Sequence, residues 1–229
     1  MTSEVDVEVA EVETAGPRTS TLTRSMWVVI AVAVLSLAVA GGYAWGNRGD
    51  EGIASPSATS VDAGFAWDMS THHAQAVTMA NFVRDHSSNS QLRILAYDIE
   101  TEQQFQIGEM AGWLDVWGLP ATSTQTQMAW MSGHGHLTAD GLMPGMATPT
   151  ELNKLMSLRG NALDVFFLQL MIRHHQGGLP MAQYGADHAS SSYVRRLAQS
   201  IVNAQSGEIV SMEQLLRQLG GSPLPAPEH

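Results

Sequence analysis

The sequence predicts an all-α protein: a four-helix bundle made of two repeated helical hairpins, preceded by one transmembrane helix. Three observations support this fold class. Apolar residues recur at helical spacing in two long stretches, those stretches match each other without gaps, and no stretch shows the alternation of a half-buried strand. With 229 residues and 44% hydrophobic residues, the chain has room for one compact domain with appendages.

Composition narrows the class of protein further. Lys and Arg number 11 against 22 Asp and Glu, a net charge of -11 that argues against nucleic-acid binding. Cysteine is absent, which excludes disulfides, thiolate zinc sites and iron–sulfur clusters. The 13 Met and 9 His stand out in such an acidic chain, so their positions decide the interpretation.

Three segments precede the hairpins. Residues 1–25 carry five acids and almost no large apolar group, which predicts a disordered cytoplasmic tail. Residues 26–46 are uncharged, long enough to cross a bilayer, and have Trp27 and Trp45 near their ends. We expect an uncleaved anchor with the N-terminus inside, although Ala38–Ala40 resembles a signal-peptide cleavage site. Residues 47–61 are expected to form a flexible linker. The main domain is thus predicted to be extracytoplasmic, or secreted if cleavage occurs near Ala40.

The internal match is the strongest signal in the chain. A shift of 102 residues superimposes the pair His72-His73 on His174-His175 and continues without gaps to Gly118 and Gly220. The pairs include Asp62/Asp164, Phe65/Phe167, Met69/Met171, Met79/Met181, Asp85/Asp187, Ala96/Ala198, Gln103/Gln205 and Met110/Met212. Such agreement predicts a duplicated unit.

Each unit is predicted to contain two helices and a short polar turn. The first helices are expected at about 62–84 and 160–186, and the second at about 90–117 and 191–219. Gly118 and Gly220 are expected to end the second helices. The hairpin repeats therefore span 62–120 and 160–220, joined by segment 121–159 and followed by a C-terminal tail at 221–229.

Helical spacing places both histidine pairs on the inward face of the first and third helices, among methionines. The candidate metal ligands there are Met69, His72, His73, Met79, Met171, His174, His175 and Met181. Imidazole suits copper or zinc, whereas thioether favours Cu(I). The alternative is that the histidines are structural, hydrogen-bonded to Gln103, Gln205 or Glu208, and that the methionines only fill the core.

The connecting segment 121–159 is rich in the same residue types. Its candidate ligands are Met128, Met131, His134, His136, Met143 and Met146. The alternative is a loop packed over the bundle, with Met128, Trp130 and Met131 as a hydrophobic plug.

The sequence lacks several common catalytic motifs. The chain has no Glu-x-x-His, no His-Glu-x-x-His, no Gly-x-Ser-x-Gly and no phosphate-binding glycine loop. We therefore expect a non-catalytic protein. Two rival hypotheses stay open: a structural subunit that docks on a membrane complex, and a His-rich zinc or copper enzyme.

The chain resembles a bacterial family, domain of unknown function 305. The resemblance covers about 62–220 and rests on the motif from Phe65 to Ala80 with its second copy, and on Met143-Pro144-Gly145-Met146 followed by Glu151-Leu152. It implies a ferritin-like four-helix bundle, exported, with members that bind copper and support copper resistance. Pro180, where the family keeps a helix-forming stretch, is expected to kink the third helix.

These observations together predict a membrane-anchored, extracytoplasmic protein that binds copper, as Cu(I) or Cu(II), for buffering, delivery or tolerance. Zinc stays open as the metal. Its partners are expected to be metal ions and the membrane, reached through one helix. Whether the protein forms a homo-oligomer or docks on a membrane complex is left open.

Overall fold

The structure is a computed structural model that describes residues 55–133 and 135–227. In these ranges it contains five α-helices and one 3₁₀ turn, and no strand, which confirms the all-α prediction there. The elements are α1 (Val61–His86), α2 (Ser90–Val116), the 3₁₀ turn (Ala129–Met131), α3 (Pro149–Ser157), α4 (Gly160–His188) and α5 (Ser192–Gln218). All four long helices begin and end within two residues of the predicted bounds.

The predicted tail at 1–25, the anchor or signal sequence at 26–46 and most of the linker lie outside the described residues. Within the ranges that are described, no helix is both long and apolar enough to cross a membrane.

Local sequence explains where the helices begin and end. Ser60 caps α1 by accepting a hydrogen bond from the Ala63 amide, and Asn89 caps α2 in the same way. Thr148 and Glu151 form a reciprocal capping box at the start of α3. Gly118 and Gly220, with φ of +67° and +78°, adopt the left-handed conformation just after α2 and α5.

The long helices form two antiparallel hairpins, α1–α2 and α4–α5, which pack together mainly through α1 and α4. These two helices run in opposite directions, because Phe65 near the start of α1 lies against Gly185 near the end of α4. The α4 helix continues through Pro180, after the histidine pair, to His188.

The core consists of two apolar clusters. The first contains Phe65, Met69 and Met110 with the α5 residues Ala198 and Ile201. The second lies towards the opposite end of the bundle and includes Leu92, Ile99, Leu163, Phe167, Leu168 and Met212. The polar residues at the middle of the four long helices belong to neither cluster. We call His72, His73, His174, His175, Gln103, Gln106 and Gln205 the polar layer, and all seven are buried.

Candidate metal centre

Two adjacent histidines on α1 and two on α4 provide the imidazoles of the polar layer. None of the four side chains is exposed to solvent. The rings of His72 and His174 stack across the α1–α4 contact, with centroids 3.9 Å apart and planes tilted by 35°. His73 and His175 instead turn towards the second helix of their own hairpins, so the structure brings together one histidine of each pair.

Each imidazole uses Nε2 to donate one hydrogen bond to an oxygen. His72 donates to the Pro144 carbonyl at 3.1 Å, and His174 donates to the His72 carbonyl at 3.0 Å. His73 donates to Gln106 Oε1 and His175 to Glu208 Oε2, both at 2.7 Å. Because carbonyl and carboxylate oxygens can only accept, the proton lies on Nε2.

The amide orientation of Gln106 is fixed independently, because its Nε2 donates to Glu102 Oε1 at 2.9 Å. Gln106 therefore presents its oxygen to His73. Glu208 occupies the matching position in the second hairpin. His73 and His175, which we call the outer histidines, therefore have a neutral and an acidic partner respectively.

Burial keeps His72, His73 and His174 uncharged at neutral pH. It lowers the pKa of His72 to about 4 and, together with the neighbouring His72, the pKa of His73 to about 3. The pKa of His174 also lies well below its ordinary value, first through burial and then through the other histidines. An uncharged imidazole with its proton on Nε2 carries a lone pair on Nδ1.

Those Nδ1 atoms have no protein partner. In the part of the chain that the structure describes, eleven buried side-chain nitrogen or oxygen atoms lack a hydrogen bond. Eight of them belong to the polar layer: Nδ1 of all four histidines, and both amide atoms of Gln103 and Gln205. An unsatisfied buried polar atom costs about 1–3 kcal/mol, so this concentration makes the polar layer the candidate binding site among the described residues.

The donor set fits a metal ion. Metal-binding histidines typically donate their other ring N–H to a carboxylate or a backbone carbonyl, as His72, His174 and His175 do here. The amide oxygen of Gln205 is a further possible metal ligand close to His72 Nδ1. A Cβ built on Gly178 would lie 3.4 Å from His72 Nδ1 and 3.1 Å from Gln205 Oε1. Among the residues described, however, no three His, Asp or Glu side chains are grouped to hold one ion.

Four predicted methionine ligands are fully buried on either side of the polar layer. Met69 and Met181 lie in the first apolar cluster, and Met79 and Met171 lie in the second. Each cluster thus receives one methionine from α1 and one from α4. Their thioethers contribute to the core, and their role as ligands stays a prediction.

The Met-Pro-Gly-Met element crosses directly over the polar layer. Its Pro144 carbonyl accepts the hydrogen bond from His72, and its backbone meets α4 at Gly177, where a Cβ would lie 2.1 Å from that carbonyl oxygen. We call residues 143–147 the strap. Met143 is fully buried and Met146 is half-buried against the first cluster.

Side chains of α1 and α4 hold the strap and the helix that follows it, and Arg173 also donates to the Met146 carbonyl at 3.5 Å. Gln75 on α1 donates to the Ala147 carbonyl at 2.9 Å and accepts from the Ala147 amide at 2.6 Å. Arg173 on α4 forms two hydrogen bonds with Glu151 at 2.8 and 2.7 Å and so ties α3 to α4. The arginine holds the pKa of the Glu151 carboxyl below its ordinary value.

The remaining candidates of the connecting segment occupy different environments. Met128 and Met131 are buried with Trp130 in the first cluster, which is the packing of a hydrophobic plug. Asp68 anchors this plug, because its Oδ2 accepts from the Met128 amide at 2.7 Å and from Trp130 Nε1 at 2.8 Å. His136 is exposed, and His134 lies outside the described residues.

Sequence reasoning missed the residues that position the histidines from outside their own helices. Gln75 and Gly177 lie in the two copies of the histidine motif, and Pro144 lies in the Met-Pro-Gly-Met element. Nothing in their spacing shows that a loop 72 residues away supplies a carbonyl to His72. The Gly-rich stretch after His175 was a usable signal, because glycine in a helix interior is costly unless a close approach requires it.

The geometry defines an all-helical protein with a buried layer of histidine and glutamine side chains at its centre. Its chain belongs to the family described as domain of unknown function (DUF305), whose model matches residues 62–216. Comparison with curated proteins gives no match.

Solved structures of the family are similar to this one. A DUF305 protein from Streptomyces coelicolor is 43% identical, with a TM-score of 0.68, over 76% of this chain and 100% of that one. A DUF305 fragment from Deinococcus radiodurans is 35% identical, with a TM-score of 0.59, over 71% and 99%. CopM in the Cu(I)-bound form is 25% identical, with a TM-score of 0.55, over 70% and 98%.

Proposed function

We propose that this protein is a ferritin-like four-helix bundle that binds copper in its polar layer, with Cu(I) as the preferred ion. The observation that carries the proposal is the set of four buried imidazoles that all leave Nδ1 unpartnered while Nε2 donates to an oxygen. CopM, similar in fold and 25% identical, is known in Cu(I)-bound and Cu(II)-bound forms, which supports the choice of metal.

Copper would be held by the Nδ1 atoms of His72 and His174, which are the stacked pair, with Gln205 Oε1 on the same side as His72 Nδ1. His73 and His175 offer further donors, and the buried methionines offer thioethers that favour Cu(I) over Cu(II). The protein contributes fixed imidazole orientation and exclusion of water. The bound ion contributes tight, oxidation-state-dependent coordination, which suits storage or transfer.

The cellular role follows as part of the proposal. Tethered by residues 26–46 with its main domain outside the cytoplasm, the protein would buffer or deliver copper, or confer tolerance to it, without catalysing a reaction. The acidic balance of the chain, with a net charge of -11, attracts cations to its surface.

A rival function has one observation in its favour. Because no three His, Asp or Glu side chains in the described ranges form a metal-holding group, the histidines could serve only to order the bundle. The protein would then be a structural subunit of a membrane complex.

A competition titration against a Cu(I) chelator separates the two. We expect the full chain to bind Cu(I) tightly, and the double variant His72→Gln/His174→Gln, which keeps a donor for the Pro144 carbonyl, to lose that binding. His136→Ala, a change to an exposed histidine, is the matched control and should bind as the wild type does.

Two other results would count against the proposal. Tight binding retained in the double variant moves the site out of the polar layer, and a titration of the connecting-segment variant Met143→Leu/Met146→Leu would then locate it. No binding by the wild type favours the structural function.

A further inference from the structure

The outward face of α2 carries a continuous uncharged stripe that no described part of the chain covers. Its members recur three or four residues apart and fall on one side of the helix. We call this set the α2 stripe: Ile94, Tyr97, Thr101, Phe105, Gly108, Gly112 and Val116, all exposed. At about 1.5 Å rise per residue, the stripe is roughly 33 Å long.

The stripe concentrates the exposed large hydrophobic side chains of the part of the chain that the structure describes. Phe105 is 72% exposed, Val116 69%, Ile94 64% and Tyr97 54%. Within the described ranges only seven large hydrophobic side chains are exposed, and these are four of them. Contiguous apolar surface of this kind typically marks an interaction site.

The second hairpin shows that the fold does not need such a surface. Residues 102 positions later occupy the corresponding face of α5 and are also exposed. That face reads Arg196, Gln199, Asn203, Gly207, Val210, Gln214 and Gln218. Since the same helix position tolerates polar residues in one hairpin, the apolar residues of the other reflect a function beyond folding.

Charges along the stripe indicate what covers it. Asp98, Glu102, Glu109 and Asp115 lie along its edges, and none of the four forms an ion pair in the described structure. The one basic residue of α2 is Arg93, whose Nε donates to the Arg84 carbonyl. The rim is therefore acidic from Asp98 to Asp115, whereas Arg84 and Arg93 lie beside Ile94 and Tyr97 at the start of the stripe.

The acidic residues along the α2 stripe favour some binding partners over others. A second copy of this chain would bring two sets of unpaired carboxylates together, and an anionic lipid surface would repel the rim in the same way. A partner helix with Lys or Arg beside its own apolar stripe would pair with these carboxylates while burying Phe105 and its neighbours.

We propose that the α2 stripe is the docking site for an amphipathic helix of another protein, whose apolar face is bordered by basic residues. The inference stands apart from copper binding, because the stripe faces away from the polar layer and shares no residue with it. Phe105, the most exposed large hydrophobic side chain among the described residues, is the expected anchor.

Synthetic helical peptides test this proposal on the full chain in nanodiscs of zwitterionic lipid, with empty nanodiscs measured in parallel. One peptide of about 22 residues, matched to the stripe's length, carries a leucine stripe bordered by lysines, and its twin carries glutamates in their place. We expect the lysine peptide to bind at least about tenfold more tightly by fluorescence anisotropy, and the difference to shrink with added salt.

Variants decide whether binding occurs at the stripe. Ile94→Gln/Phe105→Gln should weaken binding of the lysine peptide by about tenfold or more, whereas Val210→Gln on the matching face of α5 should leave it unchanged. Circular dichroism confirms that each variant is folded.

Three results would overturn the proposal. Equal binding by the double variant would show only general attraction of a basic peptide to an acidic protein. Binding of neither peptide would remove the docking site. Sedimentation showing a dimer that Ile94→Gln/Phe105→Gln dissociates would identify a second copy as the occupant.

Discussion

The two hairpins place identical histidine pairs at identical depth, yet they differ wherever the pair meets its surroundings. In α1–α2 His73 donates to the amide oxygen of Gln106, and in α4–α5 His175 donates to the carboxylate of Glu208. Position 75 carries a glutamine that holds the strap, whereas position 177 carries a glycine that lets the strap approach. The strap contacts both hairpins but relies on a different residue type in each. The hairpins are therefore alike at their buried histidines and differ where they contact the strap.

Acid should have the largest effect, and it acts through both hairpins at once. In the first hairpin folding lowers the pKa values of His72 and His73 from about 6.5 to about 4 and about 3. In the second, burial holds the pKa of His174 well below its ordinary value, so the unfolded chain binds more protons than the folded one. The free energy of unfolding is therefore highest above pH 6.5 and decreases steadily as the pH falls from 6.5 to about 3, by several kcal/mol in total. Urea unfolding at pH 7, 5.5 and 4.5 measures it.

Replacing both histidines of one pair, as in His72→Gln/His73→Gln, should make the free energy of unfolding depend less on pH. An unchanged pH dependence in this variant would show that the two histidines are not the groups that bind protons on unfolding. The variant also shows whether the two hairpins contribute equally to acid sensitivity.

Gly177→Ala should cost about 2–4 kcal/mol, because its Cβ would lie 2.1 Å from the Pro144 carbonyl oxygen and neither backbone can yield easily. Gly207→Ala is the matched control: nothing lies within 4 Å of its Cβ, so we expect a gain of about 0.5–1 kcal/mol. Thermal and urea unfolding measure both, and equal effects would show that the strap does not press on α4.

Exchanging the partners of the outer histidines tests the asymmetry itself. If copper occupies the polar layer, Glu208→Gln should weaken Cu(I) affinity by about tenfold, because a carboxylate partner makes the imidazole a better donor to the ion. Gln106→Glu should strengthen affinity in the other hairpin. Chelator competition measures both, and no change in either variant would mean that His73 and His175 are not ligands.

The outer faces should have the smallest effect on folding. Phe105→Gln and Val210→Gln each leave the free energy of unfolding within about 0.5 kcal/mol of the wild type, because both side chains are largely exposed. A larger loss for Phe105→Gln, measured by urea unfolding, would indicate that the α2 stripe is covered within this chain.

Helical spacing alone was enough to predict the four long helices and the burial of His72, His73, His174 and His175. Both properties depend on residues close together in sequence. Gly118 and Gly220 marked the helix ends for the same local reason.

What could not be predicted depends on contacts between distant segments. The carbonyl of Pro144 determines the tautomer of His72, and Asp68 anchors the turn at Met128. A sequence pattern records which residues share a face but not which loop lies over it. The same limit applies to Met128 and Met131, whose spacing fitted both a ligand set and a hydrophobic plug.

The strap also bears on how the interior exchanges with solvent, because its Pro144 carbonyl accepts a hydrogen bond from the buried His72. Two hydrogen bonds with Gln75, one from His72 and a longer one from Arg173 fasten it, few enough that we expect it to open locally while both hairpins stay folded. Entry into the polar layer would then not require global unfolding. Hydrogen exchange at the Ala147 amide, which donates to Gln75, reports that opening directly.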